Sequence, residues 1–189
     1  MLAASQFTIR SARPDDSPEI VRVIKAVYDE YGFSWDEEEY HADIYDIKTH
    51  YLDHGMPFFV AELTSGKLVG TAALELLPTL PGDLGELVQY NGRVRIGGTD
   101  CSMERLYVDP AARRIGIGRA LTQKLIDTAL EHGRTKMEIW SDKKLTKAHA
   151  LYQSFGATMA GERICHDPDH SPEWGLLLEL GTRIADRGT

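Results

Sequence analysis

The sequence predicts one domain of the α/β or α+β class, built on a mixed sheet flanked by helices. The chain has 189 residues, close to the roughly 150 residues of an average domain. Its 42% hydrophobic and 26% charged residues are ordinary globular proportions. Segments that alternate in polarity, as strands do, are interspersed with segments whose apolar residues recur every three or four positions, as in helices. We therefore treat residues 1–189 as a single domain.

The first part of the chain predicts a strand, two helices and a hairpin. Residues 7–13 alternate like a strand, and the PDDS run that follows begins a helix that closes near residue 32. A second helix is expected over residues 36–55, because its early acidic residues suit the positive end of a helix dipole. Two apolar segments around a serine-glycine turn predict a hairpin over residues 56–77.

The rest of the chain predicts a loop followed by alternating strands and helices. Residues 78–98 are rich in proline and glycine and indicate a loop or irregular ribbon. Residues 99–108 form a strand that stops before a proline, and an amphipathic helix then ends near Gly133. The remaining elements are expected to be a strand at 135–141, a helix at 145–156, and strands at 157–165 and 173–180.

Charge and hydropathy exclude several classes of protein. The net charge of −8, with no basic run longer than two residues, argues against nucleic acid as a partner. No apolar run reaches the roughly 18 residues that cross a bilayer, and the start lacks the basic and apolar regions of an export signal. Cys101 and Cys165 have no CxxC spacing and suit reduced thiols. We expect a cytoplasmic protein without a membrane partner.

The most informative segment is the glycine turn of residues 113–118, RRIGIG, between a strand and a helix. Glycines there let backbone N–H groups approach an anion, and the helix start adds unpaired donors and positive charge. A P-loop would need GxxxxGK[ST], which is absent, and a dinucleotide fingerprint would need glycine at Leu121. The turn thus predicts a diphosphate site, with a tight packing turn as the alternative.

The order of motifs resembles the GNAT superfamily of N-acetyltransferases. RRIGIG has the form [RQ]-x-x-G-x-[GA], follows a strand reading MERLYVDP and precedes a helix reading ALYQSFGA. The resemblance covers essentially the whole chain and is strongest over residues 103–157. It implies a mostly antiparallel sheet, splayed to admit acetyl-CoA as cosubstrate, and transfer of acetyl to a primary amine by direct attack in a ternary complex. It implies no metal.

The resemblance also implies a donor site, in which strand and turn together bind acetyl-CoA. The implied residues are Leu106, Tyr107, Val108, Arg113, Arg114, Ile115, Gly116, Ile117, Gly118 and Arg119. The Leu106 amide is then a candidate to polarise the thioester carbonyl. Strand alternation predicts that Glu104 and Leu106 share one face. Many members carry an asparagine before the last helix, and its side chain contacts the pantetheine arm. This chain has Leu145 at that place, so we do not expect this contact here.

Two catalytic residues are implied by the same resemblance. Tyr152 ends the A-x-x-L-Y pattern and would donate a proton to the leaving thiolate. Glu104 would accept a proton from the amine, because the attacking nitrogen must be neutral. The alternatives are a core aromatic for Tyr152, and a salt-bridged glutamate or a chain of waters in place of Glu104.

The acceptor side is the least patterned part of the chain. Tyr31, Phe33, Trp35 and Tyr40 lie among acidic residues, which suits a cationic amine held by charge and cation–π contacts. A solvated acidic helix start is the alternative, and a small amine or a peptide amine stay open as acceptors.

Three further alternatives stay open. A module that senses acyl-CoA without turnover would need the glycine turn but neither Glu104 nor Tyr152. The closing strand could pair two copies into a homodimer. Two histidine pairs, at residues 50 and 54 and at 166 and 170, lack the additional spaced ligands of a metal site.

Overall fold

The computed structural model describes residues 6–181 and consists of strands and helices in alternation. The strands are β1 (Phe7–Ser11), β2 (Phe58–Leu63), β3 (Leu68–Leu76), β4 (Leu87–Tyr90), β5 (Arg93–Ile96), β6 (Cys101–Val108), β7 (Lys136–Asp142), β8 (Thr158–Ile164) and β9 (Pro172–Glu179). The helices are α1 (Ser17–Tyr31), α2 (Ala42–Tyr45), α3 (Ile47–His50), α4 (Ile117–Glu131) and α5 (Thr146–Ser154). None of the helices in this described part of the chain is both long and apolar enough to span a membrane.

The main sheet has seven strands in the order β1-β2-β3-β6-β7-β9-β8. Neighbouring strands are antiparallel, except that β6 and β7 are parallel. The helix α4 connects the parallel pair, as a crossover requires. The predicted mixed, mostly antiparallel sheet flanked by helices is therefore confirmed.

Each face of the sheet carries its own apolar cluster. On one face, α4 buries Leu121, Leu125 and Ala129 completely against the central strands. On the other face, α1 and the short helices bury Ile24 and Ile44 against β2 and β3. These apolar residues recur at the three- and four-residue steps that predicted the helices.

The single helix predicted over residues 36–55 is wrong, because aspartate side chains interrupt it. The Asp36 carboxylate accepts the N–H groups of Glu38 and Glu39, which forms a turn instead of a helix. The Asp46 carboxylate accepts the Thr49 N–H and starts α3 separately from α2. The segment is consequently a series of turns and short helices, among them α2 and α3.

Residues 78–98, expected as a loop or irregular ribbon, contain a regular two-stranded ribbon of β4 and β5. Its turn places Asn91 at φ +48° and Gly92 at φ +76°, the left-handed conformations of a tight hairpin turn. Gln89 and Arg93, on either side of this turn, line a large cavity.

One extra residue in β6 forms a bulge opposite β3. Thr71 pairs with Tyr107, but Ala73 pairs with Glu104, so two residues of β6 lie opposite one of β3. Arg105 takes φ +51° at this point. The predicted strand alternation is therefore wrong beyond the bulge: Leu106 packs with Met103 on the α4 face, and Glu104 lies on the opposite face.

The bulge is followed by a gap between β6 and β7. Their parallel pairing covers only residues 101–103 of β6 and 137–139 of β7, although both strands continue. Beyond Met103, the β7-facing edge of β6 has no strand partner within residues 6–181. The sheet is thus splayed where the resemblance predicted it.

Gly70 sets the close packing of α4 on β3, and we predict that Gly70→Ala destabilises the fold. An added Cβ would lie 2.8 Å from Ile117 Cγ2 and 2.9 Å from Leu121 Cδ1. Overpacking of this kind costs about 1–3 kcal/mol in the free energy of unfolding, measurable by urea denaturation. In a double-mutant cycle, Ile117→Ala should recover part of the loss, whereas simple additivity would contradict the contact.

Candidate active site

The turn between β6 and α4 is shaped by Asp109 and two left-handed residues. Asp109 accepts the Ala111 N–H at 3.0 Å and a hydrogen bond from Arg22 at 2.9 Å, which anchors the end of β6. Arg114 at φ +70° and Gly116 at φ +89° then turn the chain into α4. The first turn of α4 therefore presents N–H groups without intrahelical acceptors, together with the positive end of its dipole.

A cavity of about 320 Å³ lies between this turn, the end of β6 and α5. Of the ten predicted donor-site residues, it is lined by Leu106, Tyr107, Val108, Arg113, Arg114, Gly116, Ile117, Gly118 and Arg119. Ile115 does not line it and is 38% exposed. The structure thus brings nine of these residues together around one opening, and adds Tyr31, which was predicted on the acceptor side.

The arginines around this cavity differ in whether their side chains already have a partner in the protein. Arg113 is paired with Glu30 at 2.6 Å, and Arg119 hydrogen-bonds Ser154 and lies over the Phe155 ring. Arg114 has no side-chain partner among residues 6–181. Its charge is therefore uncompensated at the turn.

A second cavity, of about 860 Å³, lies on the other side of Leu106. Seven carboxylates and three guanidinium groups line it, so its wall is acidic. The carboxylates belong to Glu39, Asp43, Glu75, Glu104, Asp142, Asp167 and Glu173, and the guanidinium groups to Arg93, Arg105 and Arg163. Four residues line both cavities, namely Leu106, Tyr107, Leu145 and Ala148. The two cavities consequently meet at the bulge of β6.

Glu104 lies in the larger cavity, on the strand that both cavities share. Its carboxylate accepts a hydrogen bond from Ser102 Oγ at 2.7 Å. Burial, and then the neighbouring Glu75 carboxylate, raise the pKa of Glu104 above its ordinary value. A raised pKa brings a carboxylate closer to the range in which a general base works at neutral pH.

Tyr152 also lines the larger cavity and is 4% exposed. Burial raises its pKa, so the phenol is protonated at neutral pH and available as a proton donor. Tyr152 belongs at the same time to the α4-side apolar cluster, so the core position that was the alternative to catalysis also holds.

The predicted acceptor aromatics are distributed over different places. Phe33 and Tyr40 line the larger cavity, and Tyr31 lines the smaller one instead. Trp35 lines neither, because its ring stacks on His41 with centroids 3.9 Å apart. Grouping these four residues on one surface was therefore wrong for Tyr31 and Trp35.

Much of the wall of the larger cavity was not found from sequence. Arg93, on the inserted ribbon, and Arg163 and Glu173, on the closing strands, all line the larger cavity. They are more than fifty residues from the predicted aromatics along the chain, so only the tertiary fold brings them together. The local signal that marks the ribbon is its Asn91-Gly92 turn.

The two cysteines are free thiols that differ in their position relative to the cavities. Cys165 lines the larger cavity, whereas Cys101 is fully buried, and burial raises the pKa of both thiols. Within the part of the chain that the structure describes, no three His, Cys, Asp or Glu side chains are grouped to hold a metal ion.

Comparison with known proteins identifies the family. The model of the acetyltransferase (GNAT) family matches residues 20–157, so the chain belongs to this family. The uncharacterised N-acetyltransferase YjgM of Escherichia coli K12 is 26% identical over 157 residues, 82% of this chain and 84% of that protein. Human N-acetylaspartate synthetase is 27% identical over 76% of this chain, which spans 40% of that enzyme.

Solved structures share the fold at lower identity. A GNAT acetyltransferase of Staphylococcus aureus Mu50 superposes with a TM-score of 0.69 at 19% identity, over 93% of this chain and 99% of that one. The Salmonella typhimurium protein yncA, solved with its cofactor acetyl-CoA, has a TM-score of 0.67 at 20% identity, over 97% and 99%. The resemblance drawn from the turn and the last helix is thus confirmed at the level of family and fold.

The environment of Glu104 generates a prediction about pH dependence. If Glu104 is the base, activity falls as pH drops through its raised pKa, because only the carboxylate accepts a proton. Glu75→Gln removes a charge that raises this pKa, so the acidic limb of kcat/KM for the acceptor should move to lower pH. Glu104→Gln should lower kcat by about 10²-fold.

The acceptor amine ionises identically in all three proteins, so differences between their profiles report on Glu104. Superimposable profiles for the wild type and Glu75→Gln, with near-normal kcat in Glu104→Gln, would assign proton removal to a chain of waters.

Proposed function

We propose that this protein is an acetyl-CoA-dependent N-acetyltransferase that acetylates a primary amine by direct attack in a ternary complex. The observation that supports this most strongly is the meeting of a basic cavity and an acidic cavity at Leu106. One cavity suits a phosphate-bearing donor and the other a cationic acceptor, and the four residues that line both cavities lie where the two substrates would meet.

The smaller cavity fits the donor. Its turn offers helix N-terminal N–H groups and the Arg114 guanidinium to a diphosphate, and Gly116 leaves open space beside these groups. The unpaired edge of β6 beyond Met103 offers backbone groups to an extended chain, as a missing strand would receive them. Acetyl-CoA supplies an acetyl group activated as a thioester.

The chain's own residues then perform three tasks. Glu104 accepts the proton that the amine must lose before its nitrogen can form the new C–N bond. The Leu106 N–H stabilises the negative charge that develops on the oxygen of the thioester carbonyl during attack. Tyr152 donates its proton to the sulfur as the C–S bond breaks, and the proton that the nitrogen releases as it becomes an amide restores the phenol.

The acceptor that this cavity favours is a small cationic amine. The volume lies within the range of small-molecule sites, about 300–1,000 Å³. Three of the lining carboxylates, Asp43, Glu75 and Glu173, are paired with arginines, and the rest leave the wall acidic. The Arg105 guanidinium already lies over the Tyr40 ring, so the attraction for a cationic amine comes from the carboxylates.

An amine panel tests this proposal, with release of free thiol from acetyl-CoA as the readout. Diamines and polyamines should be acetylated with higher kcat/KM than neutral or acidic amino compounds, and the preference should shrink as salt rises. Preference for a peptide N-terminus or an acidic amine would contradict the acceptor assignment. Binding of acetyl-CoA without release by any amine would favour a sensor.

Tyr152→Phe tests the proton donor. We expect kcat to fall by about 10²-fold while the Kd for acetyl-CoA changes little, because the ring and its packing remain. Tyr90→Phe is the matched control, since Tyr90 lines neither cavity and loses the same hydroxyl. Equal kcat in both variants would remove Tyr152 from this role.

Replacing both cysteines by alanine tests direct attack. Cys165 lines the acceptor cavity, but a buried thiol with a raised pKa is a poor nucleophile. We therefore expect the double variant to keep kcat within about threefold of the wild type. Loss of transfer, with trapping of an acetylated thiol in the wild type, would replace direct attack by a covalent route.

A further inference from the structure

The backbone of Arg105 forms part of the bulge in β6, beside the place where the two cavities meet. It occupies the bulge of β6 at φ +51°, and its carbonyl oxygen accepts a hydrogen bond from Thr71 Oγ1 at 2.7 Å. A side chain at such a φ costs on the order of 1 kcal/mol or more, whereas glycine adopts it freely. The next residue is Leu106, where the two cavities meet. An arginine at this position therefore strains the backbone of the bulge, whereas a glycine would not.

The side chain of Arg105 belongs to the acceptor wall. Its Nε and Nη2 donate to the two Asp43 carboxylate oxygens at 2.9 and 2.5 Å. Nη2 also donates to the Tyr40 carbonyl at 2.9 Å, and Nη1 to His41 Nδ1 at 3.2 Å. Tyr51 donates its hydroxyl proton to the same Asp43 carboxylate. One guanidinium, 12% exposed, thus ties together the wall formed by residues 40–51.

His41 is specialised for this contact. Its ring is fully buried, stacked on Trp35 and edge-on to Tyr28. Burial, and then the Arg105 charge, lower the pKa of His41 to about 4, so the ring is neutral at neutral pH. Because a guanidinium only donates, Nδ1 accepts and Nε2 carries the hydrogen. That Nε2 has no hydrogen-bond partner within the described residues, so the ring's one hydrogen bond goes to Arg105.

We propose that Arg105 is a positioning residue that clamps the acceptor wall, residues 40–51, to the bulge that presents Leu106. The clamp holds the amine and the thioester carbonyl in register, and this consequence rests on the proposed function. Misplacement of reacting groups by about 1 Å costs on the order of 10²-fold in rate. The role lies in geometry, since the Arg105 charge is already neutralised by Asp43.

Three substitutions separate the clamp from the backbone conformation. Arg105→Gly keeps the bulge and relieves its strain, Arg105→Ala keeps the strain, and Arg105→Lys keeps the charge without the fork of donors. All three should lower kcat by about 10²-fold at saturating acetyl-CoA, with the Kd for acetyl-CoA within about threefold of the wild type. Near-normal kcat in Arg105→Gly would show that only the backbone matters and overturn the proposal.

Arg10→Ala is the matched control for loss of a clamped arginine. Arg10 also makes four hydrogen bonds, to Glu62, Asp16 and the Ser11 carbonyl, but lines neither cavity. We expect its kcat to stay within about threefold of the wild type. An equal loss of kcat in Arg10→Ala and Arg105→Gly would reduce the effect to general destabilisation and overturn the proposal.

Amide hydrogen exchange without substrates tests the clamp independently of turnover. Exchange should accelerate in residues 40–51 and in residues 103–108 of Arg105→Gly, and in neither segment of Arg10→Ala. Unchanged exchange in both segments of Arg105→Gly would overturn the clamp. A wild type that transfers no acetyl group would overturn the proposed function, while the exchange result would still decide the clamp.

Discussion

The extra residue in β6, opposite β3, determines most of what surrounds the candidate active site. It reverses the side-chain alternation, so that Leu106 faces the α4 side while Glu104 faces the acidic cavity. The pairing between β6 and β7 ends at Met103, just before the bulge, which leaves an opening in a sheet that is otherwise continuous. Both cavities depend on that opening.

The charges are arranged in two environments on either side of Leu106. The turn into α4 combines a helix dipole with the unpaired Arg114, whereas the opposite cavity has more carboxylates than guanidinium groups. A ligand with phosphates and a ligand with a positive charge are therefore drawn to different sides. This separation orients both partners before any specific contact forms.

Most of the secondary structure and the place of the glycine turn between β6 and α4 could be predicted from sequence, because both depend on local patterns. The RRIGIG turn is recognisable from six consecutive residues. Nine of the ten predicted donor-site residues line one cavity. The bulge could not be predicted, since a one-residue shift of register leaves no trace in composition or period. It moved Leu106 to the face opposite Glu104.

The wall of the larger cavity was harder to predict for a different reason. It is assembled from α1, the turns after it, the inserted ribbon and the closing strands, so that its members are neighbours only in the folded chain. Trp35 illustrates the difficulty: its aromatic ring and acidic surroundings suggested ligand binding, but stacking on His41 occupies it. The prediction of one helix over residues 36–55 was wrong for a similar reason, since the Asp46 carboxylate competes for backbone N–H groups.

In the proposed reaction, one donor molecule spans the turn and the bulge, and an amide-resolved NMR titration with acetyl-CoA tests this arrangement. We expect the amide signals of Leu106, Gly116 and Gly118 to shift together and to saturate with a single Kd. Shifts confined to the turn, with the Leu106 amide unchanged at saturation, would contradict it.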